Sequence, residues 1–302
     1  MNGATVMRTF KSVLFLSLML AAAPLAADDA HAAKARTAQI RISYVPPKNP
    51  AHQPVYDRLK NARSLEKLQE FLSPFRLPRT LLIKTEGCDG EANAWYDDGA
   101  ITICYEYVVE MWKNAPTETT KDGVAPIDAL VAPIFDTALH EFAHAIFDIL
   151  QLPVLGREED AADQVASYIA LHLGKDAARR QISGIAYAYL TEATAATAPP
   201  KLEAFANEHG TPAQRYYNVL CIAYGADPQS FGQFVEQGNL PKDRAEGCDA
   251  EYAQAKRAFE KLIAPHLDQK LARNVLTKSW LPDRSNPVPG KPRPTRPAQA
   301  AK

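Results

Sequence analysis

The order of apolar and polar positions predicts a small sheet at the start of the chain. Residues 40–45 alternate apolar and polar side chains, as a half-buried strand does, and residues 80–84 are rich in Leu and Ile. Residues 93–96 and 100–105 flank the turn Asp97-Asp98-Gly99. An Asp-Gly pair between two apolar runs favours a tight hairpin. We therefore expect two strands and a hairpin in this region, and the stretch 100–105 as a possible edge for an extended peptide, although an ordinary strand is the simpler interpretation.

Helical periodicity dominates the rest of the chain. A first amphipathic pattern covers residues 55–74, and from about residue 105 onward the character is helical. Long apolar-periodic segments, separated by Pro and Gly, cover residues 127–151, 157–173, 177–192, 212–225 and 247–265. The order predicts an α+β fold, with a small N-terminal antiparallel sheet followed by a mostly helical body.

The two ends of the chain differ from the middle. Arg8 and Lys11 precede a short apolar run and an Ala-His-Ala site at residues 30–32, which together are typical of a secretory signal peptide. An uncleaved anchor is the alternative, but the run is shorter than the ~20 residues of a spanning helix. Residues 282–302 are rich in proline and basic residues, which predicts a disordered tail. The prediction is a signal peptide at 1–32, one domain at 33–281 and a tail at 282–302.

Composition agrees with an exported soluble protein. The chain has 302 residues with 34 basic against 35 acidic side chains, so no basic excess suggests a nucleic-acid partner. After removal of the signal peptide we expect no stable membrane insertion. The location predicted is the periplasm or the exterior.

The four cysteines, Cys88, Cys104, Cys221 and Cys248, are an even number in a chain predicted to be exported. Such a count predicts disulfides, of which three pairings are possible. The local pairs 88–104 and 221–248 are the ones we expect. Four buried free thiols and a cysteine zinc site are the alternatives, but the chain has no Cys-x-x-Cys pair.

The motif that carries chemistry is His140-Glu141-Phe142-Ala143-His144, the pattern H-E-x-x-H. On a helix the two histidines project from one face about one turn apart, so both imidazoles can reach one Zn²⁺. Glu141 is displaced from that face and can take a proton from a water molecule beside the metal. The flanking residues are apolar, which predicts a buried helix whose polar groups need partners. Two core histidines held by ordinary hydrogen bonds are the bland alternative.

A third ligand is expected from the next helix, which begins near Arg157 after Gly156. A short turn returns this helix antiparallel to the first. Glu159 and Asp163 share its apolar stripe, whereas Asp160 should face solvent. Glu158 cannot be excluded by helical phase alone. The simpler interpretation of these acids is a charged first turn that the helix dipole stabilises.

H-E-x-x-H followed by Glu159-Asp160-Ala161-Ala162-Asp163 resembles the glutamate branch of zinc peptidases, with its zincin-like body. That resemblance implies that Glu159 is the third zinc ligand and that Asp163 orients a zinc-bound histidine. More narrowly, residues 40–265 resemble a bacterial metallopeptidase family named for a domain of unknown function. The segments that carry this likeness are residues 93–96, 153–160 and 214–221. The likeness implies peptidase chemistry on a peptide or protein substrate.

The function predicted is hydrolysis of peptide bonds with one Zn²⁺ held by His140, His144 and Glu159, and with Glu141 as general base. Such a centre usually adds a donor for the oxyanion. His209 and Arg215 are the preferred candidates, because they are polar groups near the start of an otherwise apolar helix. The tyrosines at 105, 168, 216 and 217 are further candidates.

Two other functions fit the same residues. The zinc centre could cut peptidoglycan cross-links or another envelope amide. An exported zinc-binding protein without turnover is the second, but Glu141 argues against it because a structural site needs no free carboxylate beside the metal.

Overall fold

The computed structural model describes residues 39–195, 198 and 200–288. The predicted signal peptide and the end of the predicted tail lie outside these residues. Four strands form one sheet: β1 (Ile40–Tyr44), β2 (Leu81–Glu86), β3 (Ala94–Asp97) and β4 (Ala100–Cys104). The helices of eight or more residues are α1 (Gln53–Asn61), α2 (Ser64–Leu72), α3 (Tyr105–Asn114), α4 (Pro126–Ile149), α5 (Glu158–Leu171), α6 (Lys175–Ala195), α7 (Pro212–Ala226), α8 (Cys248–Ala258) and α9 (Gln269–Leu276). The chain is α+β, as the pattern predicted.

The sheet is mixed, so the predicted antiparallel arrangement is wrong for most of it. The strand order is β1-β2-β4-β3, with β1 parallel to β2 and β2 parallel to β4. The connection from β1 to β2 contains α1 and α2, and such a crossover returns the chain in the same direction. The antiparallel pair is the hairpin β3–β4, whose turn places Asp98 and Gly99 at positive φ. The edge strand beside the helical body is therefore β3, and 100–104 lies inside the sheet.

Two predicted elements have different bounds in the structure. The pattern at 55–74 forms two helices, because Arg63 adopts a left-handed backbone conformation between α1 and α2. The pattern at 247–265 forms α8, a π-helical turn at Phe259–Ile263 and a 3-10 turn at Ala264–His266.

The main core lies between the sheet and the middle of α4. Apolar side chains of β2 and β4, such as Ile83 and Ile101, are fully buried together with Leu139, Phe142 and Ile146 of α4. These α4 residues lie within the H-E-x-x-H motif or next to it in sequence. Their burial therefore fixes the direction in which the polar side chains of the motif point.

A second core holds α6, α7 and α8 together. Gly184 lies on α6 where a Cβ would come within 2.6 Å of the Asp128 carbonyl oxygen, so α4 and α6 approach closely there.

The disulfide Cys221–Cys248 joins α7 to the start of α8, and Cys88–Cys104 joins the end of β4 to the loop after β2. Both predicted pairings are confirmed.

The predicted tail begins too early at residue 282. Arg284 donates a hydrogen bond from Nε to Asp128 Oδ2 at 2.9 Å, and Val288 is buried among residues of α4. Arg284 and Val288, both within the predicted tail, therefore contact the body. A tail rich in proline can still dock where single residues find a charged or an apolar partner.

Candidate metal centre

Two helices bring the predicted ligands to one point. His140 and His144 lie one turn apart on α4, and Glu159 lies in the first turn of α5. The Nε2 atom of His140 is 3.0 Å from Glu159 Oε2 and 3.1 Å from the Nε2 atom of His144. His144 Nε2 is 3.3 Å from the same carboxylate oxygen. Two imidazole nitrogens and one carboxylate oxygen therefore form a nearly equilateral triangle.

The size of this triangle fits a zinc ion. Ligands bound tetrahedrally at about 2.0–2.1 Å from Zn²⁺ lie roughly 3.3 Å apart, close to the observed edges. Nitrogen from histidine and oxygen from glutamate are also the donors of catalytic zinc sites. Glu159 keeps its charge, because hydrogen bonds from His140, His144 and His209 hold the pKa of its carboxyl far below the usual range. The residues present thus fit a divalent cation by spacing and by chemistry.

The Nδ1 atom of each histidine, on the opposite side of the ring from Nε2, is hydrogen-bonded to a carboxylate. Asp163, one turn along α5 from Glu159, accepts from the Nδ1 atom of His140 at 2.8 Å. Glu158 accepts from the Nδ1 atom of His144 at 2.8 Å. A proton held on Nδ1 makes Nε2 the nitrogen that can bind a metal once Nε2 itself is unprotonated, so both rings present the correct nitrogen to the common point.

Arg215 holds Asp163 in place. Its guanidinium donates from Nε to Asp163 Oδ2 at 2.8 Å and from Nη2 to Oδ1 at 2.6 Å. Burial raises the pKa of Asp163, but the hydrogen bond to His140 and the charge of Arg215 outweigh burial and lower it to about 2. The guanidinium also lies over the ring of Tyr189. This engagement favours a positioning role for Arg215 over the predicted role of oxyanion donor.

The same carboxylates change the proton affinity of the rings. Burial lowers the pKa of His140, yet hydrogen bonds to Asp163 and Glu159 outweigh it and raise the pKa to about 9. The pKa of His144 is raised as well: burial works against the shift, and the hydrogen bonds to Glu159 and Glu158 cause it. A strongly negative environment around both rings is what a bound cation requires.

Glu141 lies beside this point without joining the triangle. Its side chain is buried in the wall of a cleft of about 910 Å³ that also exposes both histidines. Burial raises the pKa of its carboxyl, and the backbone amide of Tyr96 in β3 works in the opposite direction. A carboxylate with a raised pKa beside a metal site is suited to accept a proton.

The cleft runs between the sheet edge and the helices. Residues 94–96 of β3 form one wall, and α3 and α6 contribute to the other. Its aromatic lining comes from Trp95, Tyr96, Tyr107, Tyr187 and Tyr189. The four tyrosines predicted as donors, at 105, 168, 216 and 217, are not among the described residues that line this cleft. Sequence reasoning missed Tyr107, Tyr187 and Tyr189 because α3 and α6 reach the site only in the folded chain.

His209 also reaches the site, from the segment before α7. Its Nε2 atom is 2.8 Å from Glu159 Oε2, and its ring stacks on that of His140 at 5.6 Å between centroids. The ligand atoms of His140, Glu159 and His209 all lie within 4.8 Å of one another. His209, predicted as an oxyanion donor, thus lies beside the predicted ligands.

Comparison with known proteins places the chain in a family. Residues 44–263, well over half of the chain, match the family described as "Putative metallopeptidase". No curated protein and no solved structure matches the chain. Within the described residues, no helix is long and apolar enough to cross a bilayer. The matched range contains both helices of the candidate centre, and the chain belongs to this metallopeptidase family.

Proposed function

We propose that the protein is a zinc-dependent metallopeptidase whose single Zn²⁺ is held by His140, His144 and Glu159. The observation that carries the proposal is the triangle of Nε2, Nε2 and Oε2 atoms with edges of 3.0, 3.1 and 3.3 Å. Membership of a metallopeptidase family supports the reaction type, since such a family implies metal-dependent hydrolysis of peptide bonds.

Different residues of the chain have different roles in the proposed hydrolysis. When bound, zinc lowers the pKa of a water molecule to about 7 and polarises the peptide carbonyl. Glu141 accepts the proton of the attacking water and returns it to the leaving amine. Asp163 and Glu158 keep the two histidines in the tautomer that binds metal. Arg215 in turn keeps Asp163 charged and aligned.

A peptide substrate has a suitable strand to pair with. β3 is the edge strand of the sheet, and residues 94–96 line the cleft beside Glu141. An extended peptide adds to a sheet edge through main-chain hydrogen bonds. We therefore assign peptide docking to β3 and not to the stretch 100–105, because β4 is paired on both sides.

The proposed location is outside the cytoplasm. Both disulfides are compatible with an oxidising compartment, and the N-terminal sequence predicts export. The described residues have no free cysteine.

The decisive experiment separates metal binding from turnover. Wild type, His140→Ala and Glu141→Gln are purified, and bound zinc and cleavage of an unfolded protein substrate are measured. We expect about one zinc per chain in wild type, loss of zinc in His140→Ala, and full zinc in Glu141→Gln with cleavage reduced about 10²- to 10⁴-fold.

A matched control is Glu236→Gln, which changes an exposed glutamate outside the cleft. It should retain both zinc and activity. If Glu141→Gln cleaves as fast as this control, Glu141 is not the general base. If His140→Ala keeps its zinc, the metal centre itself is assigned to the wrong residues.

A further inference from the structure

A short segment covers the candidate metal centre. We call residues 201–211 the strap. It contains the 3-10 turn Leu202–Ala206 and ends where Thr211 caps α7 through a capping box with Gln214. The strap carries His209, whose Nε2 atom is 2.8 Å from Glu159 Oε2. The strap thus delivers a third imidazole to the oxygen that His140 and His144 already share.

The strap is tied to the helix that carries Glu159. Arg157, the residue directly before α5, donates from Nη2 to the carbonyl oxygens of Asn207 and Glu208. These two hydrogen bonds therefore join the residues just before His209 to the residue two positions before Glu159. Together with the cap of α7, they fix the strap on both sides of His209. The imidazole of His209 is therefore held at the site by contacts on both sides of it along the strap.

The four candidate ligands differ in their access to solvent. The side chain of His140 is 4% exposed and that of Glu159 17%, whereas the side chain of His209 is 43% exposed. His209 also lines a second cavity, which shares Asn93 and Glu192 with the cleft. His209 is therefore the most exposed of the four side chains, and it is the ligand that can leave without opening the core.

We infer that His209 is a fourth, displaceable ligand of the metal ion, which the strap holds 2.8 Å from Glu159 Oε2. This inference rests on the proposed zinc site. Catalytic zinc sites have three protein ligands and an open position, while four protein ligands close a site. Bound to the metal, His209 would occupy the position that a catalytic site keeps open, and its departure would free that position for water or substrate. The exchange would change no oxidation state, because one lone-pair donor replaces another.

The competing role for His209 is that of a hydrogen-bond donor to the oxyanion. The two roles differ before any substrate is added. A ligand contributes to metal affinity and to the ligand field of the ion, whereas a transition-state donor contributes to turnover alone.

The test measures metal binding without substrate. Zinc affinity is determined by competition with a chelator for wild type, His209→Ala and His209→Gln, and the absorption spectrum of the Co²⁺-loaded protein is recorded for each. We expect both substitutions to weaken zinc binding about 10- to 100-fold, the range for residues that orient ligands, because water replaces the lost imidazole. The Co²⁺ bands should change in energy and intensity. Arg157→Ala, which releases the strap, should shift both readouts in the same direction by a smaller amount.

Two controls make each outcome decisive. His266→Ala removes a histidine outside the site and should change neither readout, whereas His140→Ala should abolish binding. If His209→Ala and His209→Gln bind zinc and give Co²⁺ spectra like wild type while cleavage falls, His209 is a donor and the inference is overturned. If His140→Ala also binds like wild type, the zinc site fails as a whole. Circular dichroism spectra confirm that each variant is folded.

Discussion

Helix α4 carries two clusters of buried charge that differ in their partners. At its N-terminal end Asp128 accepts from Nε and Nη2 of Arg180 at 3.0 and 2.6 Å and from Nε of Arg284 at 2.9 Å. In its middle, His140 and His144 share the oxygen of Glu159. The first cluster is built from guanidinium groups, which bind no metal. The second is built from lone-pair donors that converge beside a cleft.

The difference shows how a structural cluster is distinguished from a functional one. Asp128 and Arg180 are both buried, and each has its charge satisfied by the other, so the cluster joins α4, α6 and the segment after α9. At the candidate metal centre Asp163 is satisfied by Arg215, whereas the partners of Glu159 are imidazoles. Imidazoles, unlike guanidinium groups, can bind a divalent cation together with a carboxylate.

The largest expected effect comes from breaking the structural cluster. Asp128→Ala leaves the buried Arg180 without its carboxylate, which should cost about 3–5 kcal/mol of the free energy of unfolding. Zinc stoichiometry should not change under native conditions. Urea unfolding followed by circular dichroism measures the loss. Asp148→Ala is the matched control on the same helix, since the Asp148 side chain is 42% exposed and its ion pair with Arg79 is expected to contribute about 1 kcal/mol or less. Equal losses for the two variants would contradict the distinction.

The next effect concerns the carboxylates behind the histidines. Asp163→Asn preserves the shape of the side chain but removes the charge that faces His140 and Arg215, and should weaken zinc binding about 10- to 100-fold. Glu158→Gln is the comparison at His144. Its side chain is 55% exposed against 19% for Asp163, so water competes for the same hydrogen bond and we expect a smaller loss. Chelator competition at pH 7 measures both affinities. A larger loss for Glu158→Gln would show that burial does not set the contribution of these partners.

Much of the fold could be predicted because its helices are long and strongly patterned. α4, α5, α6 and α7 lie within a few residues of their predicted bounds. The direction of the strands could not be predicted, because β1 and β2 show the same apolar pattern whether they run parallel or antiparallel. Arg284 and Val288 were assigned to a disordered tail because average composition hides the contact that a single residue makes with Asp128 or with α4.

The candidate site could likewise be predicted only in part from the sequence. His140, Glu141 and His144 lie on one helix, so spacing alone predicted that they belong together. Glu158 was left undecided, because helical phase does not show which imidazole stands opposite in the folded chain. The contact between Arg215 and Asp163 joins residues 52 positions apart, and no local pattern encodes it.

The smallest expected effect is a pH dependence of stability that comes from another acid of α4, Asp136. Asp136 lies one turn before His140, it is buried, and its Oδ1 atom has no hydrogen-bond partner within the described residues. Burial, and then the charge of Asp163, raise the pKa of Asp136 to about 7, although Arg215 partly opposes the shift. In the unfolded chain an aspartate titrates near ~3.9. Between these values the folded state holds a proton that the unfolded state has lost, so this group makes stability fall as pH rises from about 4 to 7.

Asp136→Asn keeps the buried side chain neutral at every pH and removes this dependence. We expect a melting temperature close to that of wild type at pH 4 and higher than wild type at pH 7, by about 2–4 °C for each kcal/mol of relieved charge burial. Scanning calorimetry from pH 4 to 7 measures the difference, with the exposed Asp122→Asn as baseline. A difference that does not vary with pH would mean that Asp136 is already neutral, or already paired, in the native protein. A difference that grows with pH would show that this stretch of α4 is kept negative at a cost in stability, which the closed cluster around Asp128 does not incur.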